Sequence, residues 1–372
     1  MIRALAITWL LAAPALAQEA PDFIAKRAAG QLEAAQNALL LADRATDRVQ
    51  ALTKTVKAYE HGLVALREGL RRAAIRETAL RRKFEAERER LAQLLGVLAS
   101  IETSPGPLLL LHPSGPLGTA RSGMIVSDVT PALQAEVATL RAELEELALM
   151  RALQQSAAQT LQDGLAGAQQ ARVTLSQAMS NRVDLPTRHL EDPQALSNLV
   201  NSVDTLRGFA AGIAEMRIAG AEAPLHIGEA RGALPLPVAG TVLRRAGEAD
   251  AAGIERPGLI VATEPRALVT TPWSATIRYR GPLLDYGNVM VLEPGDGYLL
   301  VLAGLEEVYG DTGDVLPAGS PVGLMGGNVP GAELFLTQAA NGGGGAKSET
   351  LYIELRQGEE PVDPGIWFAF DG

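Results

Sequence analysis

The sequence predicts an α+β protein, with a long antiparallel coiled-coil hairpin on its N-terminal side and a β-rich domain on its C-terminal side. Three observations carry this. A proline-free run from about Phe23 to Ser100 repeats apolar residues in alternating steps of three and four. A second such run extends from about Pro131 to Asn181. From Leu234 onward, glycine and proline become frequent and short Val/Ile/Leu runs alternate with turns.

In the first run the stripe passes through Ala35, Ala38, Ala42, Ala45, Val49, Leu52, Val56, Tyr59, Leu63, Leu66, Leu70, Ala73, Leu80, Phe84, Leu91, Leu94 and Leu98, broken only at Glu77 and Glu87. A helix of that length would extend about 110 Å. Pro105, Pro107, Pro113 and Pro116 stop it. The second stripe passes through Leu133, Val137, Leu140, Leu144, Leu147, Ala158, Leu161, Leu165, Ala168, Leu175 and Met179, with Arg151, Gln154 and Arg172 on the seam. Two such helices around a connector near 101–130 predict an intramolecular hairpin over 18–182, a parallel intermolecular coil being the alternative. Leu108 to Leu111 with Met124, Ile125, Val126 and Val129 make that connector apolar, either a small local core or a partner-binding tip. His112 stands there without a second metal ligand nearby.

A third helical segment follows Leu190. Asp192 is a candidate N-cap with Pro193 at the first helical position. Leu196, Leu199, Val200, Val203, Leu206, Phe209, Ile213 and Met216 then form one wide apolar face outside the coiled-coil register. This face must be buried against the C-terminal domain or another protein. Residues 183–233 are therefore a helix with a linker, and 234–372 a separate domain. Candidate strands are Pro237–Leu243, Gly258–Ala262, Ala275–Tyr279, Gly287–Leu292, Tyr298–Ala303, Pro321–Met325 and Thr350–Arg356.

Residues 1–17 read as a secretory signal peptide. Arg3 supplies the positive end, Ala4 to Ala13 the apolar core and Ala15-Leu16-Ala17 the cleavage site. That apolar core is too short to span a bilayer. The expectation is an exported, periplasmic protein. Cysteine is absent, which excludes disulfides, thiol catalysis and cysteine-bound metals. The net charge of −10 resides in residues 233–372, which hold 8 basic and 18 acidic side chains. Phosphate repulsion disfavours nucleic acid as a partner of that domain.

The order of short motifs in the C-terminal domain is distinctive. Leu236-Pro237-Val238-Ala239-Gly240-Thr241-Val242 is followed by Tyr286-Gly287-Asn288-Val289-Met290-Val291-Leu292 and Gly295-Asp296-Gly297-Tyr298. Gly313-Asp314-Val315-Leu316-Pro317-Ala318-Gly319, Pro321-Val322-Gly323, Leu351-Tyr352-Ile353-Glu354-Leu355-Arg356, Pro361-Val362-Asp363-Pro364 and Trp367 complete it. This series resembles the LytM (lysostaphin-type) peptidoglycan endopeptidase domain. With the leader and helical hairpin in front, the chain resembles the EnvC-type murein hydrolase activators of Gram-negative bacteria.

The resemblance implies a zinc cleft whose ligands are missing. The family's His-x-x-x-Asp pair falls on Arg256 and Ile260, its His-x-His on Thr350 and Tyr352, and a further histidine on Gly304. The four histidines, His61, His112, His189 and His226, all precede the domain. No metal or cofactor is expected, so the domain is read as a pseudoenzyme. A zinc site of carboxylates alone would draw on Glu354 and Asp363, although Glu354 could equally pair along its own strand. The resemblance further implies that the vacated cleft binds a peptidoglycan amidase (an N-acetylmuramoyl-L-alanine amidase) in septal wall splitting. Tyr352, Arg356, Tyr286, Arg256 and Ile260 would line this groove. Leu196, Val200, Val203 and Leu206 would supply an autoinhibitory contact. The coiled coil would engage an ABC-transporter-like membrane complex of the divisome, and peptidoglycan is a further expected partner. The alternatives are a structural wall-binding module, a working endopeptidase, or an efflux adaptor. The last class splits a β domain around its hairpin, whereas this chain does not. Gly326 to Glu349, with its tetraglycine, is longer than the family's connection; it either reframes the groove or is a surface insertion.

Overall fold

The computed structural model describes residues 30–31, 33–35, 37–42, 44–103, 115–180, 185–190, 192–216, 218–219, 227–249, 253–331, 334 and 347–370. The expected leader, Leu108–Leu111, His112, His226 and the tetraglycine lie outside the described residues. The chain divides into two compact units, 66–166 with 330–345, and the remainder.

Two long helices run through the N-terminal half, α1 (Ala45–Thr103) and α2 (Gly115–Ser180). In the 66–166 unit, polar pairs join them. Arg76 reaches Glu146 at 2.8 Å, Lys83 pairs with Glu143, and Arg151 reaches Glu77 at 3.3 Å. From the Arg76 and Glu77 level to Lys83 the partner falls from Glu146 and Arg151 to Glu143, the order of an antiparallel pair. Glu77 and Arg151, which interrupt the apolar stripe of each helix, interrupt it at one level and neutralise each other.

Two expectations are corrected here. Residues 115–130, assigned to the connector, are helical, and Pro131 lies inside α2. A proline removes one donor and one turn's hydrogen bond, while the ladder on either side can persist. Met124 is exposed. Leu144, placed on the seam, is also exposed, because Glu143 and Glu146 face α1 instead.

In the other unit, ten antiparallel strands form one sheet, with the path β3 (Gly240–Arg244), β4 (Leu259–Thr263), β11 (Glu349–Gln357), β8 (Tyr298–Val308), β7 (Asn288–Gly295), β6 (Ala275–Pro282) and β9 (Val315–Leu316). β10 (Pro321–Met325) joins β8 to β5 (Leu268–Thr270), and β12 (Glu360–Val362) pairs β11. A two-stranded sheet, β1 (His189–Leu190) with β2 (Ile218–Ala219), lies apart from it.

The central strands are apolar on both faces, as strands buried on two sides must be. Met290, Leu292, Leu300, Leu302, Leu351, Ile353 and Leu355 point to one core, closed by Leu234, Trp367 and Phe368. Val289, Val291, Leu299, Val301 and Ala303 point to a second core on the opposite face. That second face is covered by two short helices, α3 (Pro193–Ser202) and α4 (Leu206–Glu215).

The expected continuous third helix is therefore broken at Val203–Thr205. Val203 is extended, and the Thr205 Oγ1 accepts from the Gly208 N–H at 3.1 Å to cap α4. A capping threonine competes with helix continuation by satisfying donors the preceding turn would otherwise serve. Asp192 caps α3 by accepting from the N–H groups of Gln194 and Ala195, both at 3.0 Å.

The base of the helical pair docks on the sheet through Val49, Leu52, Val56, Leu175 and Met179 against Leu268, Tyr309 and Leu324. A buried ion pair sits in this contact. Arg172 donates to Glu60 at 2.9 Å, and the same carboxylate accepts the Leu268 N–H at 2.9 Å. Burial pushes the Glu60 carboxyl above the usual range, while Arg172, the Leu268 N–H and Lys57 oppose the shift. A carboxyl raised in the folded state binds its proton more tightly there, so its contribution to stability falls as pH rises above the ordinary carboxyl value. Replacing Arg172 with Met should cost about 3 kcal/mol by leaving Glu60 short of its main counter-charge. Urea unfolding should show a larger loss at neutral than at mildly acidic pH.

Candidate functional site

Of the residues singled out at sequence level, the covered face of the sheet holds Tyr352, Glu354, Arg356 and Ile260. On β11, Leu351, Ile353 and Leu355 enter the first core, so Tyr352, Glu354 and Arg356 project to the opposite face. They form a polar line along one strand. The Tyr352 hydroxyl donates to Glu354 Oε2 at 2.7 Å, and Arg356 Nη1 donates to Glu354 Oε1 at 2.7 Å. The second Arg356 nitrogen donates to the Glu359 carbonyl. Burial pushes the Tyr352 phenol far above the usual tyrosine value; Glu354 and Tyr286 add to the shift, and Arg207 of α4 opposes it. Tyr352 is thus a neutral hydroxyl with Tyr286 and Arg207 as neighbours.

Strand register brings four of the five positions together. Ile260 is the direct partner of Tyr352 across β4, and Ala303 is its partner across β8. Thr350 pairs Ala262 on the same strands. Gly304 has φ +98, and a Cβ there would come 2.7 Å from the Thr350 carbonyl oxygen. Gly258 is held bare for a related reason, since its Cβ would meet the Tyr352 ring at 2.6 Å. Arg256 lies before β4, its carbonyl accepting from the Gly247 N–H at 2.8 Å.

Placement differs from expectation at one residue. Arg356 is 1% exposed and locked in a buried ion pair, so it is not a rim anchor. Its neighbour Glu354 is equally inaccessible and is occupied by both Tyr352 and Arg356. Tyr286, in contrast, is 40% exposed, at the end of a short turn in which Leu284 has φ +49 and is itself exposed. The polar line thus has a closed end at Arg356 and an open end at Tyr352 and Thr350.

These side chains do not fit a zinc ion. Ile260 and Gly304 offer no donor, Thr350 and Tyr352 offer neutral hydroxyls, and Arg256 is cationic, whereas zinc sites use imidazole, thiolate or carboxylate. Glu354 already compensates Arg356. Among the described residues, no group of three His, Cys, Asp or Glu side chains is gathered to hold a metal.

The cover over this face is anchored by a residue that sequence patterning did not single out. Leu206, Phe209, Ala210 and Ile213 are buried against it, while Leu196, Val200 and Val203 are partly buried and pack against the same cluster, as does Tyr352. Phe209 meets Tyr279 edge-on, with centroids 4.6 Å apart. Arg278 of β6 donates to the carbonyls of Ile213 and Met216 at 3.0 and 2.5 Å and pairs with Glu293 at 3.2 Å. These acceptors lie at the C-terminal end of α4, where carbonyls lack helical partners and a cation is favoured. Arginine in a Thr-Ile-Arg-Tyr strand carries no sequence signal for this role, because its acceptors are backbone atoms over sixty positions away.

No family profile matches the chain. An uncharacterised protein of Neisseria meningitidis serogroup B is 28% identical over 137 residues, 37% of this chain. The match spans only 20% of that relative's own length. Among solved structures, a zinc-containing peptidase from Vibrio cholerae is similar at 18% identity and TM-score 0.28, covering 36% of this chain and 39% of that one. The catalytic domain of a prophage-encoded M23 protein from Enterococcus faecalis is similar at 16% identity and TM-score 0.28, covering 38% of this chain and all (100%) of that one. Likenesses of this size assign neither family nor activity. No helix among the described residues is long and apolar enough to cross a membrane.

Two substitutions probe the site. Glu354→Gln strands the buried Arg356 charge and should cost about 3–5 kcal/mol, measured by urea unfolding. Arg278→Met should release the end of α4, so that limited proteolysis within 193–216 accelerates while the sheet's far-UV circular dichroism is kept.

Proposed function

We propose that the chain is a non-catalytic, exported activator of a peptidoglycan amidase, built on a LytM-type domain whose metal cleft has become a protein-binding groove. One observation carries the reading. The apolar pair α3–α4 lies on the sheet face where the family's ligand positions Ile260 and Tyr352 stand opposite each other. A face that has lost its metal donors and is covered by a detachable-sized helical pair is suited to exchange one apolar occupant for another. The motif order from Leu236 to Trp367 and the gathering of Ile260, Gly304, Thr350 and Tyr352 support the LytM part of this reading.

In this mechanism α3–α4 holds the resting state. Leu206, with Phe209 and Ile213, supplies most of the buried contact; Leu196, Val200 and Val203 pack against the same cluster and complete it. Tyr286, Tyr352 and Ile260 form the mouth of the groove, and Arg256 stands near it. Displacement of the cover exposes Val289, Val291, Leu299 and Val301, an apolar floor for a helix of the amidase. Engagement of the helical hairpin by a divisome membrane complex would drive the displacement, since the base of that hairpin is packed on the same sheet.

The test mixes the chain with a zinc-dependent N-acetylmuramoyl-L-alanine amidase and dye-labelled peptidoglycan. The intact chain should stimulate dye release weakly, and Phe209→Glu should raise stimulation about tenfold, the change expected if the cover loses about 1.4 kcal/mol. Adding Tyr286→Ala to the uncovered variant should reduce it again. Silence of both the intact chain and the uncovered variant would remove the activator reading. Dye release by the chain alone would establish an endopeptidase instead.

A further inference from the structure

A second site lies away from the covered face. A cleft of 780 Å³ is bordered on one side by Lys57 and Glu60 of α1 and on the other by the segment entering β3. Its sheet-side wall is a consecutive run, Pro235 through Val242. Of that run, Gly240, Thr241 and Val242 belong to β3, and the rest to the irregular segment that enters it. β3 stands at the end of the sheet path and pairs β4 on one side only among the described residues. Ala239, Gly240 and Thr241 are exposed.

The charges around this edge are opposite in sign to the domain that carries it. Lys57 donates to Thr270 Oγ1 at 3.0 Å, one acceptor for an ammonium with three protons. Burial depresses the Lys57 ammonium, and a carboxylate arriving in the cleft would relieve that penalty. Arg245 is held with its guanidinium 5.2 Å from the centre of the Phe370 ring, and both line the cleft. Lys347 donates to Thr241 on the strand itself. Glu60, which attracts Lys57 across the wall, is hydrogen-bonded by Arg172 and the Leu268 N–H, and Glu248 accepts from the Arg245 backbone N–H at 2.7 Å.

We propose that this cleft binds an acidic, extended segment of a partner protein, which adds as a strand to the open edge of β3 with its carboxylates held by Lys57 and Arg245. Main-chain pairing along the edge supplies affinity, and the two cations select charge. The three residues of β3 that line the cleft, Gly240 to Val242, offer about 10 Å of ladder. A ladder of that length requires regular alternation of side chains, hence a chain of uniform L chirality. The site stands independently of the proposed amidase groove, because none of its wall residues belongs to the covered face.

The experiment measures fluorescence anisotropy of a fluorescein-labelled peptide alternating Glu and Val, titrated with the full chain. Saturable binding is expected, weakened about tenfold or more by Lys57→Gln and by added salt. A copy methylated on alternate backbone nitrogens should not bind, a control that leaves the protein untouched. The thermal melt of the Lys57→Gln protein verifies that it is folded. Absence of saturable binding by the Glu peptide would overturn the proposal and leave the lysines as guards of a free edge. Equal binding by a Lys-for-Glu peptide or by the methylated copy would also overturn it. Equal binding by a copy of alternating chirality would overturn the assignment to a protein segment.

Discussion

Strands β7 and β8 carry apolar side chains on both faces, and a sheet of that kind requires two covers. Every aliphatic left against water forfeits on the order of 25 cal/mol per Å². The first face is closed by the domain's own chain ends, with Leu234, Trp367 and Phe368 packed over Leu300 and Leu355. The second is closed by α3 and α4, which precede the domain in sequence. Ten-residue helices have little stability of their own. They are helical because the sheet needs them, and anything that removes them must offer the sheet comparable apolar area. That requirement restricts an exchanging partner to an amphipathic element.

Polar residues on the second face are arranged so that this cover can close. Glu354 neutralises Arg356 and accepts from Tyr352, which removes charge from the floor. Arg278 spends its guanidinium on the last carbonyls of α4 and on Glu293. Both devices put a buried arginine where an unpaired one would be costly, so each holds its surroundings in one arrangement. The open end of the line, at Tyr352, Thr350 and Tyr286, keeps polar groups at the edge of the cover. The same economy recurs at the base of the helical pair. There, Glu60 binds α2 through Arg172 and the sheet through the Leu268 N–H, so that movement of the helices is felt at β5.

Much of this was written in local patterns. The step of three and four through Val49, Leu52, Val56 and Leu63 marks residues that are buried. The alternation Leu351, Ile353, Leu355 against Tyr352, Glu354, Arg356 places two chemistries on two faces, and the structure keeps that division. Pattern reading failed where neighbours in space outweighed neighbours in sequence. Val203 and Leu206 fit one helical face, yet Thr205 caps a new helix between them. Leu144 fits a heptad seam, yet Glu143 and Glu146 find basic partners on α1 and turn it outward. Pro131 reads as the start of the second helix, yet α2 begins at Gly115 and passes through it.

The sequence by itself determined the fold class, the two long helices, seven of the ten strands of the large sheet and the absence of zinc donors at the positions where the resemblance would place them. These follow from residue types and short-range periodicity, which act within a few positions along the chain. The tertiary structure alone decided that Arg356 is buried rather than presented, that Arg278 holds α4 in place, and that the second sheet face is covered. The hold on α4 depends on groups that meet after more than sixty residues of intervening chain, and the burial of Arg356 on the strands packed beside its own. Burial then fixes the behaviour of a charge, because only a desolvated arginine is compelled to find its partners.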